Sequence, residues 1–201
     1  RDGSTLLMIN SHQPLTGPVS WYEVHLQSGD GLNVMGGLFI GSPALGVGYN
    51  EHHGWGATVN QPDLVDVYVL EIDPEDDNRY RVDGEWLELE AFDIPIKVLL
   101  WGWLPWTFKE KGYRSIHGPV MKTDHGTYAL RYAGMDEVRQ VEQWLAMSAA
   151  TSFDEWREAM ALQHIASFNF VYANADGDIH FVHNAMMPRR VVGWQWDQYL
   201  P

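Results

Sequence analysis

Cysteine is absent from the 201 residues, which excludes a disulfide framework, a thiolate zinc site and a cysteine nucleophile. Base is scarce as well. Thirteen Lys and Arg stand against 27 Asp and Glu, a net charge of -14. The clustered cations that a phosphate backbone requires are therefore missing, and no nucleic-acid partner is expected. Long apolar runs are lacking too: each is broken by glycine, proline or charge, so no membrane span is expected. No signal-like segment opens the chain. Arg1-Asp2-Gly3-Ser4 leads straight into a strand-like run, and the aromatic tail Val191 to Pro201 stops without a capping or polar terminus, so both ends read as cut points.

What is present is a hydrophobic content of 45%, enough for a sizeable core, with no linker-like shift in composition. The expectation is a single domain over residues 1–201. Thr5 to Asn10 is a short apolar run, read as a buried strand. Val19 to Gln27 alternates, and after Ser28-Gly29-Asp30-Gly31 the segment Leu32 to Ile40 returns as its hairpin partner. Short strands follow over Ala44 to Gly48 and Trp55 to Val59, then Val65 to Ile72. Asp83-Gly84 is a two-residue hairpin signal between Tyr80–Val82 and Glu85–Leu89. Ile94 to Phe108, with Trp101, Trp103 and Trp106, is expected to form two long strands joined near Leu104-Pro105 and packed on a neighbouring domain.

Helices enter late. Asp136 is a candidate N-cap for a helix with Val138, Val141, Leu145 and Ser148 on one stripe. Ser152 with Glu155 reads as a capping box for a second. Phe168 to Asn174 and Ile179 to Asn184, around Asp176-Gly177-Asp178, form a further hairpin. Many antiparallel strands, a helix pair and more strands give an α+β class with helices on one face of a sheet stack.

The chemistry rests on His, Ser, Asp and Asn. His52-His53 are neighbours, and His180 and His183 fall on opposite faces of a strand, so neither pair can chelate; structural roles are expected. The chain has no GxSxG elbow and no HExxH helix. Asp63 and Asp66, at i and i+3 in a proline-bent loop, form either a solvated acidic turn or an oxygen cluster of the kind calcium takes.

An ordered series of motifs carries a resemblance. Asn10-Ser11-His12-Gln13-Pro14 is followed by Gly17-Pro18 with Trp21-Tyr22-Glu23-x-His25, then Gly41-Ser42-Pro43. Gly48-Tyr49-Asn50-Glu51-His52 comes next, with Gly54-Trp55-x-x-Thr58-Val59-Asn60 and Asp63-x-x-Asp66-Val67-Tyr68. Gly118-Pro119 and Asn169-x-x-Tyr172-Ala173 with Asp176-Gly177-Asp178-Ile179 complete the series. Together they resemble the β chain of the penicillin amidase (penicillin acylase) family, in text closer to acyl-homoserine-lactone and aculeacin-type acylases.

The resemblance implies the β-chain portion of an Ntn-hydrolase αββα sandwich, partnered by the α chain of the same self-cleaving precursor, in a periplasmic or secreted location. It implies hydrolysis of N-acyl amides such as N-acyl homoserine lactones or β-lactam side chains. An N-terminal serine attacks the carbonyl and forms an acyl-enzyme that water releases. The family places that serine upstream of Thr5; neither Ser4 nor Ser11 matches it, so the chain by itself is expected to be inert. His12 matches the histidine that helps orient the nucleophile. Val59 matches the backbone N–H of the oxyanion hole, whose second donor, an asparagine, is expected beyond Pro201. Gln13, Phe39, Ala57 and Phe168 match the acyl pocket, Gln13 standing where relatives carry phenylalanine. Asp63, the Val65 carbonyl and Asp66 match ligands of a structural calcium whose other ligands lie elsewhere. The alternative is a non-catalytic relative kept as a binding or structural domain.

Overall fold

The computed structural model describes residues 4–193. Among these residues two compact units emerge: one from residues 4–64 and 133–187, the other from residues 65–132 and 188–193. No change in composition marks either crossing. The readings of Arg1 to Gly3 and of most of the tail lie outside the described residues.

Along the chain, the first unit contributes β1 (Trp21–Gln27), β2 (Asn33–Phe39), β3 (Val47–Tyr49) and β4 (His53–Thr58). The second unit holds β5 (Val65–Leu70), β6 (Ile72–Asp73), β7 (Asp76–Val82), β8 (Glu85–Glu88), β9 (Glu90–Leu100), β10 (Leu104–Ser115), β11 (Gly118–Thr123) and β12 (Gly126–Tyr132). The chain then returns to the first unit as α1 (Gln140–Ala149), α2 (Phe153–Ala161), β13 (Ser167–Asn174) and β14 (Ile179–Ala185).

In the first unit a six-stranded sheet runs β1-β2-β3-β4-β13-β14, every neighbouring pair antiparallel. Alternation along β4 sends Trp55 and Ala57 to one face, where they meet Val34, Phe170 and Tyr172 from the sheet and Met147 and Trp156 from the helices. Burying such side chains contributes roughly 25 cal/mol per Å² of apolar surface removed from water. The opposite face of β4 presents Gly54 and Gly56. Leu7 and Ile9 lie over them: a Cβ at Gly54 would stand 2.8 Å from Leu7 Cδ2, and one at Gly56 2.6 Å from Ile9 Cγ1. The stretch Thr5 to Asn10 is thus extended against the sheet, but it joins no ladder and leaves Leu6 and Met8 exposed, in place of the expected buried strand.

The first helix corrects the sequence reading. It starts at Gln140 after Arg139, without a side-chain cap, and Asp136 plays no capping part. Glu137 organises this end instead: its carboxylate accepts from Arg139 Nε and Nη2 at 3.1 and 3.0 Å, and its carbonyl accepts from Gln140 Nε2 at 2.7 Å. The inward face holds Gln143, Met147 and Ser148, while Val138, Val141 and Leu145 are exposed. The cause is a polar requirement. Gln143 Oε1 accepts the buried Ile165 N–H at 2.8 Å, so this glutamine, which hydropathy places outside, goes inside. α2 begins as the sequence suggests, with Ser152 Oγ accepting from the Glu155 N–H at 3.2 Å, although the Glu155 carboxylate returns to Thr151 rather than Ser152.

The second unit has a five-stranded sheet, β5-β12-β11-β10-β9, and a three-stranded sheet, β6-β7-β8, around Leu70, Tyr80, Leu89 and Ala129. Asp83 and Gly84 take the two positive-φ positions of their turn, as the dipeptide demands. The β9–β10 turn lies at Trp101-Gly102, with φ of 52° and 79°, not near Leu104-Pro105. Pro105 sits inside β10 opposite Leu99. The missing N–H is tolerated there because β11 pairs only with Tyr113 to Ser115, leaving that part of β10 bonded on one side alone.

Replacing Gln143 by Leu is expected to destabilise the protein by about 1–3 kcal/mol despite the added apolar surface, because the Ile165 N–H loses its acceptor. Urea unfolding of wild type and Q143L checks this; equal midpoints would refute it.

Candidate functional site

β4 stops at Thr58, and the next two residues are held by side chains. Asn169 Nδ2 donates to Thr58 Oγ1 at 3.3 Å and to the Val59 carbonyl at 3.4 Å. Asn169 Oδ1 faces His183 Nδ1 at 2.8 Å. One residue on, Asn60 Nδ2 donates to the Asn184 carbonyl at 2.8 Å, and Asn60 Oδ1 accepts the Ser167 hydroxyl. Asn184 Nδ2 in turn donates to the Ile165 carbonyl at 2.8 Å. Thr58 and Asn60 are therefore held through their side chains and Val59 through its carbonyl, while the Val59 residue itself is 68% exposed. A fixed peptide at an accessible strand end is the arrangement in which an N–H can meet developing negative charge without reorganising.

The segment that leads to His12 runs along the same sheet. Leu7 over Gly54 and Ile9 over Gly56 make the first segment run in the direction of β4. Three residues past Ile9 stands His12, and three past Gly56 stands Val59. His12 adopts a φ of 56°, steadied by its own N–H donating to Asn10 Oδ1 at 2.9 Å, and its side chain is exposed. Gln13 is half-buried, with Nε2 donating to the Ser11 carbonyl at 3.4 Å.

The other expected pocket residues divide between the two faces. Ala57 packs in the helix-side core opposite Phe170, and Phe168 meets Trp144 and Phe170, each with ring centroids 6.1 Å apart. Phe39 belongs to the other face, stacked on Trp21 at 4.5 Å. Asn60, Ser167, Asn169 and His183 were missed by sequence reasoning. A signal existed: a hairpin around Asp176-Gly177-Asp178 sets Asn169 opposite His183 by register.

At the other end of β4 lies a cleft of about 520 Å³, lined in part by Leu7, Tyr49, Asn50, His53 and Asn174. Asn50 organises it, accepting the His52 and His53 N–H groups on Oδ1 and donating from Nδ2 to the Ser148 and Ala150 carbonyls at 3.1 and 2.8 Å. As expected, the two histidines point apart: His52 is exposed and His53 buried. The His53 ring stacks on Tyr172 at 5.1 Å, and its Nε2 donates to the Met147 carbonyl at 3.2 Å. Burial pushes its pKa down, with His52 adding a smaller repulsion and the Met147 carbonyl opposing both.

Of the expected calcium ligands, Asp66 has a cation beside it already. Asp66, on β5, is bound by Arg190, Nε lying 3.0 and 3.1 Å from its two oxygens and Nη2 3.0 Å from Oδ1. A guanidinium thus already neutralises this carboxylate. Val65 stands in the β5–β12 ladder opposite Tyr132, and Asp63 precedes β5 in the first unit. Among the described residues, no group of three His, Asp or Glu side chains could hold a metal ion.

An antiparallel sheet with a helix pair on one face and an extended layer starting on the other defines an α+β protein of the Ntn-hydrolase sandwich type. More narrowly, the chain belongs to the penicillin amidase family, whose profile matches residues 1–201. It is similar to the acyl-homoserine lactone acylase PvdQ of Pseudomonas fluorescens Pf0-1, 27% identical over 195 residues that make up 93% of this chain and 25% of that protein. The penicillin G acylase of Escherichia coli is 28% identical over 200 residues, 92% of this chain and 23% of that one. The thermostable penicillin G acylase of Alcaligenes faecalis superposes with a TM-score of 0.76 at 26% identity, covering 89% of this chain and 32% of that structure. The chain therefore spans about a quarter of the length of the curated relatives it matches.

Folded His53 binds a proton less readily than it does when unfolded. Its contribution to stability is therefore present above the ordinary histidine pKa of about 6.5 and lost as pH falls below it. Thermal midpoints measured between neutral and mildly acidic pH should fall on acidification, and His53→Gln should weaken that dependence; an unchanged slope would refute the assignment.

Proposed function

We propose that this chain forms part of an acylase that hydrolyses N-acyl amides, N-acyl homoserine lactones or aryl-acyl amides among them, through an acyl-enzyme. The observation that carries the proposal is the parallel course of Thr5–Ile9 and β4, which runs towards the strand end where Asn169 holds the Val59 carbonyl; in this reading His12 follows at that end. In this reading the Val59 N–H stabilises the oxyanion as the tetrahedral intermediate forms. Asn169, oriented by His183, keeps that peptide in place by holding its neighbouring carbonyl. A donor so fixed contributes about 3 kcal/mol to the transition state. His12 orients the nucleophile, which the family supplies as the N-terminal serine of the β chain, with the α chain of the precursor as partner.

The acyl group would lie at this sheet end, against Phe39 and Gln13 on the face that carries Ile9. Ala57 and Phe168 would shape it from the core side, where their packing fixes the position of β4 and β13. A periplasmic or secreted location belongs to the same proposal. The names of the relatives favour catalysis over a non-catalytic binding domain, because each is an acylase.

The test is hydrolysis of a panel of N-acyl homoserine lactones and phenylacetyl amides by the intact protein. Val59→Ala keeps the backbone donor and should retain near-wild-type kcat; Val59→Pro removes it and should lower kcat by about 10²–10³. Absence of acylase activity from the whole panel, or equal damage from both substitutions, would refute the assignment.

A second variant pair probes the layer beneath. Gly56→Ala drives a Cβ into Ile9 and should reduce activity by displacing the His12 segment, while Ile9→Ala in the same chain should restore part of it. Loss without any rescue would show that Gly56 acts some other way.

A further inference from the structure

Asn60, the residue after Val59, lies beyond the last ladder pair of β4 with β13, Thr58 opposite Asn169. Continued by two steps, that register would set Asn60 opposite Ser167. The two do meet, but through their side chains: the Ser167 hydroxyl donates to Asn60 Oδ1. The other end of the same amide, Nδ2, donates to the Asn184 carbonyl at 2.8 Å, on the next strand β14. A carbonyl can only accept, which fixes Nδ2 towards Asn184 and leaves Oδ1 for the hydroxyl. One short side chain thus takes over where the pairing of β4 stops, and it joins the chain to two strands at once.

The anchorage goes deeper than β14. Asn184, 7% exposed, donates from Nδ2 to the Ile165 carbonyl at 2.8 Å, and the Ile165 N–H donates to Gln143 Oε1 at 2.8 Å. Gln143 is fully buried on the inward face of α1. Residue by residue, Asn60 is therefore tied to the helix layer. Asn169, by comparison, makes its donations to Thr58 Oγ1 and the Val59 carbonyl at 3.3 and 3.4 Å, longer than the usual range for an amide donor. Of the two asparagines, Asn60 has the shorter bonds and the deeper anchor.

Val59 stands between two fixed points. Peptide units are planar, so the direction of the Val59 N–H is set by the soft dihedrals of Thr58 and Val59. With Thr58 in the ladder and Asn60 pinned, those dihedrals must close a fixed span, and the N–H is held to one direction. We infer that Asn60 is a positioning residue for the Val59 N–H, and that Ser167 orients the Asn60 amide for that task. The inference rests on the reading of Val59 as the oxyanion donor. Such a donor is effective because it already points to where the charge will develop. The bond it makes belongs to the transition state more than to the bound substrate, so a donor that has lost its aim lowers kcat and leaves KM nearly unchanged.

The experiment uses the intact protein, with steady-state kinetics on the same panel of N-acyl homoserine lactones and phenylacetyl amides and urea midpoints measured beside them. Asn60→Ala should lower kcat by about 10–10²-fold, short of the loss expected when the donor itself is removed. KM should stay within about twofold of wild type. Asn60→Asp keeps the size and the acceptor but, as a carboxylate, cannot donate to the Asn184 carbonyl, and should be impaired likewise. Ser167→Ala should lower kcat by a smaller factor, and Ser167→Thr, which keeps the hydroxyl, should return it to the wild-type value. Alanine at both positions should cost no more than Asn60→Ala alone, because the two side chains act along one path. Unchanged kcat in Asn60→Ala overturns the inference, as does a loss that appears in KM instead. Should Asn60→Ala fail to fold, Asn60→Asp and the Ser167 pair decide: wild-type kcat in the aspartate variant, or a threonine no better than alanine at position 167, also overturns it. A wild-type protein that hydrolyses nothing in the panel overturns the acylase reading itself, and does so before any substitution is made.

Discussion

Two glycines on one strand allow a second layer of backbone to lie against the sheet, and the rest of the first unit is built around that contact. β4 carries Trp55 and Ala57 on its helix side and no side chain at Gly54 and Gly56 on the other, so Leu7 and Ile9 descend onto bare backbone. A Cβ at either position would meet them at less than 3 Å. The contact sets the direction of the first segment and therefore the place where His12 emerges. Without it, the Asn10–Pro14 loop would have no fixed relation to the end of β4.

Around this contact, polar side chains perform work usually left to main-chain ladders. Asn50 joins the β3–β4 turn to the last carbonyls of α1, Gln143 serves the Ile165 N–H, and Asn60 and Asn169 hold the residues beyond β4. Each is an uncharged amide able to donate and accept at once, which suits positions where irregular backbone enters a poorly solvated region. Charges are used elsewhere. Arg139 holds the pKa of Glu137 down to about 2 at the start of α1, with the nearby His164 favouring the ionised form in lesser degree. Arg190 neutralises Asp66 in the second unit.

The second unit follows another logic. Its core is small, and Tyr80 closes it by accepting the Ile116 N–H on its hydroxyl at 2.9 Å. From that core a ribbon extends with apolar side chains on view, an arrangement that a self-sufficient domain avoids. The tight Trp101-Gly102 turn places two of these indoles, Trp101 and Trp103, at the tip of the ribbon.

Much of this was legible in the residues. Alternation located most strands of the sheets, Asp83-Gly84 and Asp176-Gly177-Asp178 marked their hairpins, and Ser152 marked the start of α2, because these signals depend on local backbone geometry alone. The motif series also identified the family. Thr5–Asn10 looked like a strand because its pattern is that of a strand, but a ladder needs a neighbour, which a pattern cannot reveal. Periodicity placed Val141 and Leu145 on the inward stripe of the first helix and did not pick out Gln143, since hydropathy does not register a distant N–H in need of an acceptor. The division into two units, the Asp66–Arg190 pair across 124 positions and the fixing of Val59 by Asn169 across 110 were likewise beyond its reach. The sequence alone determined the local elements and the lineage, because short-range sterics and alternation specify them. Which polar groups meet, and so where chemistry can occur, was decided by the tertiary structure, because those partners are brought together only when the sheet closes over its core.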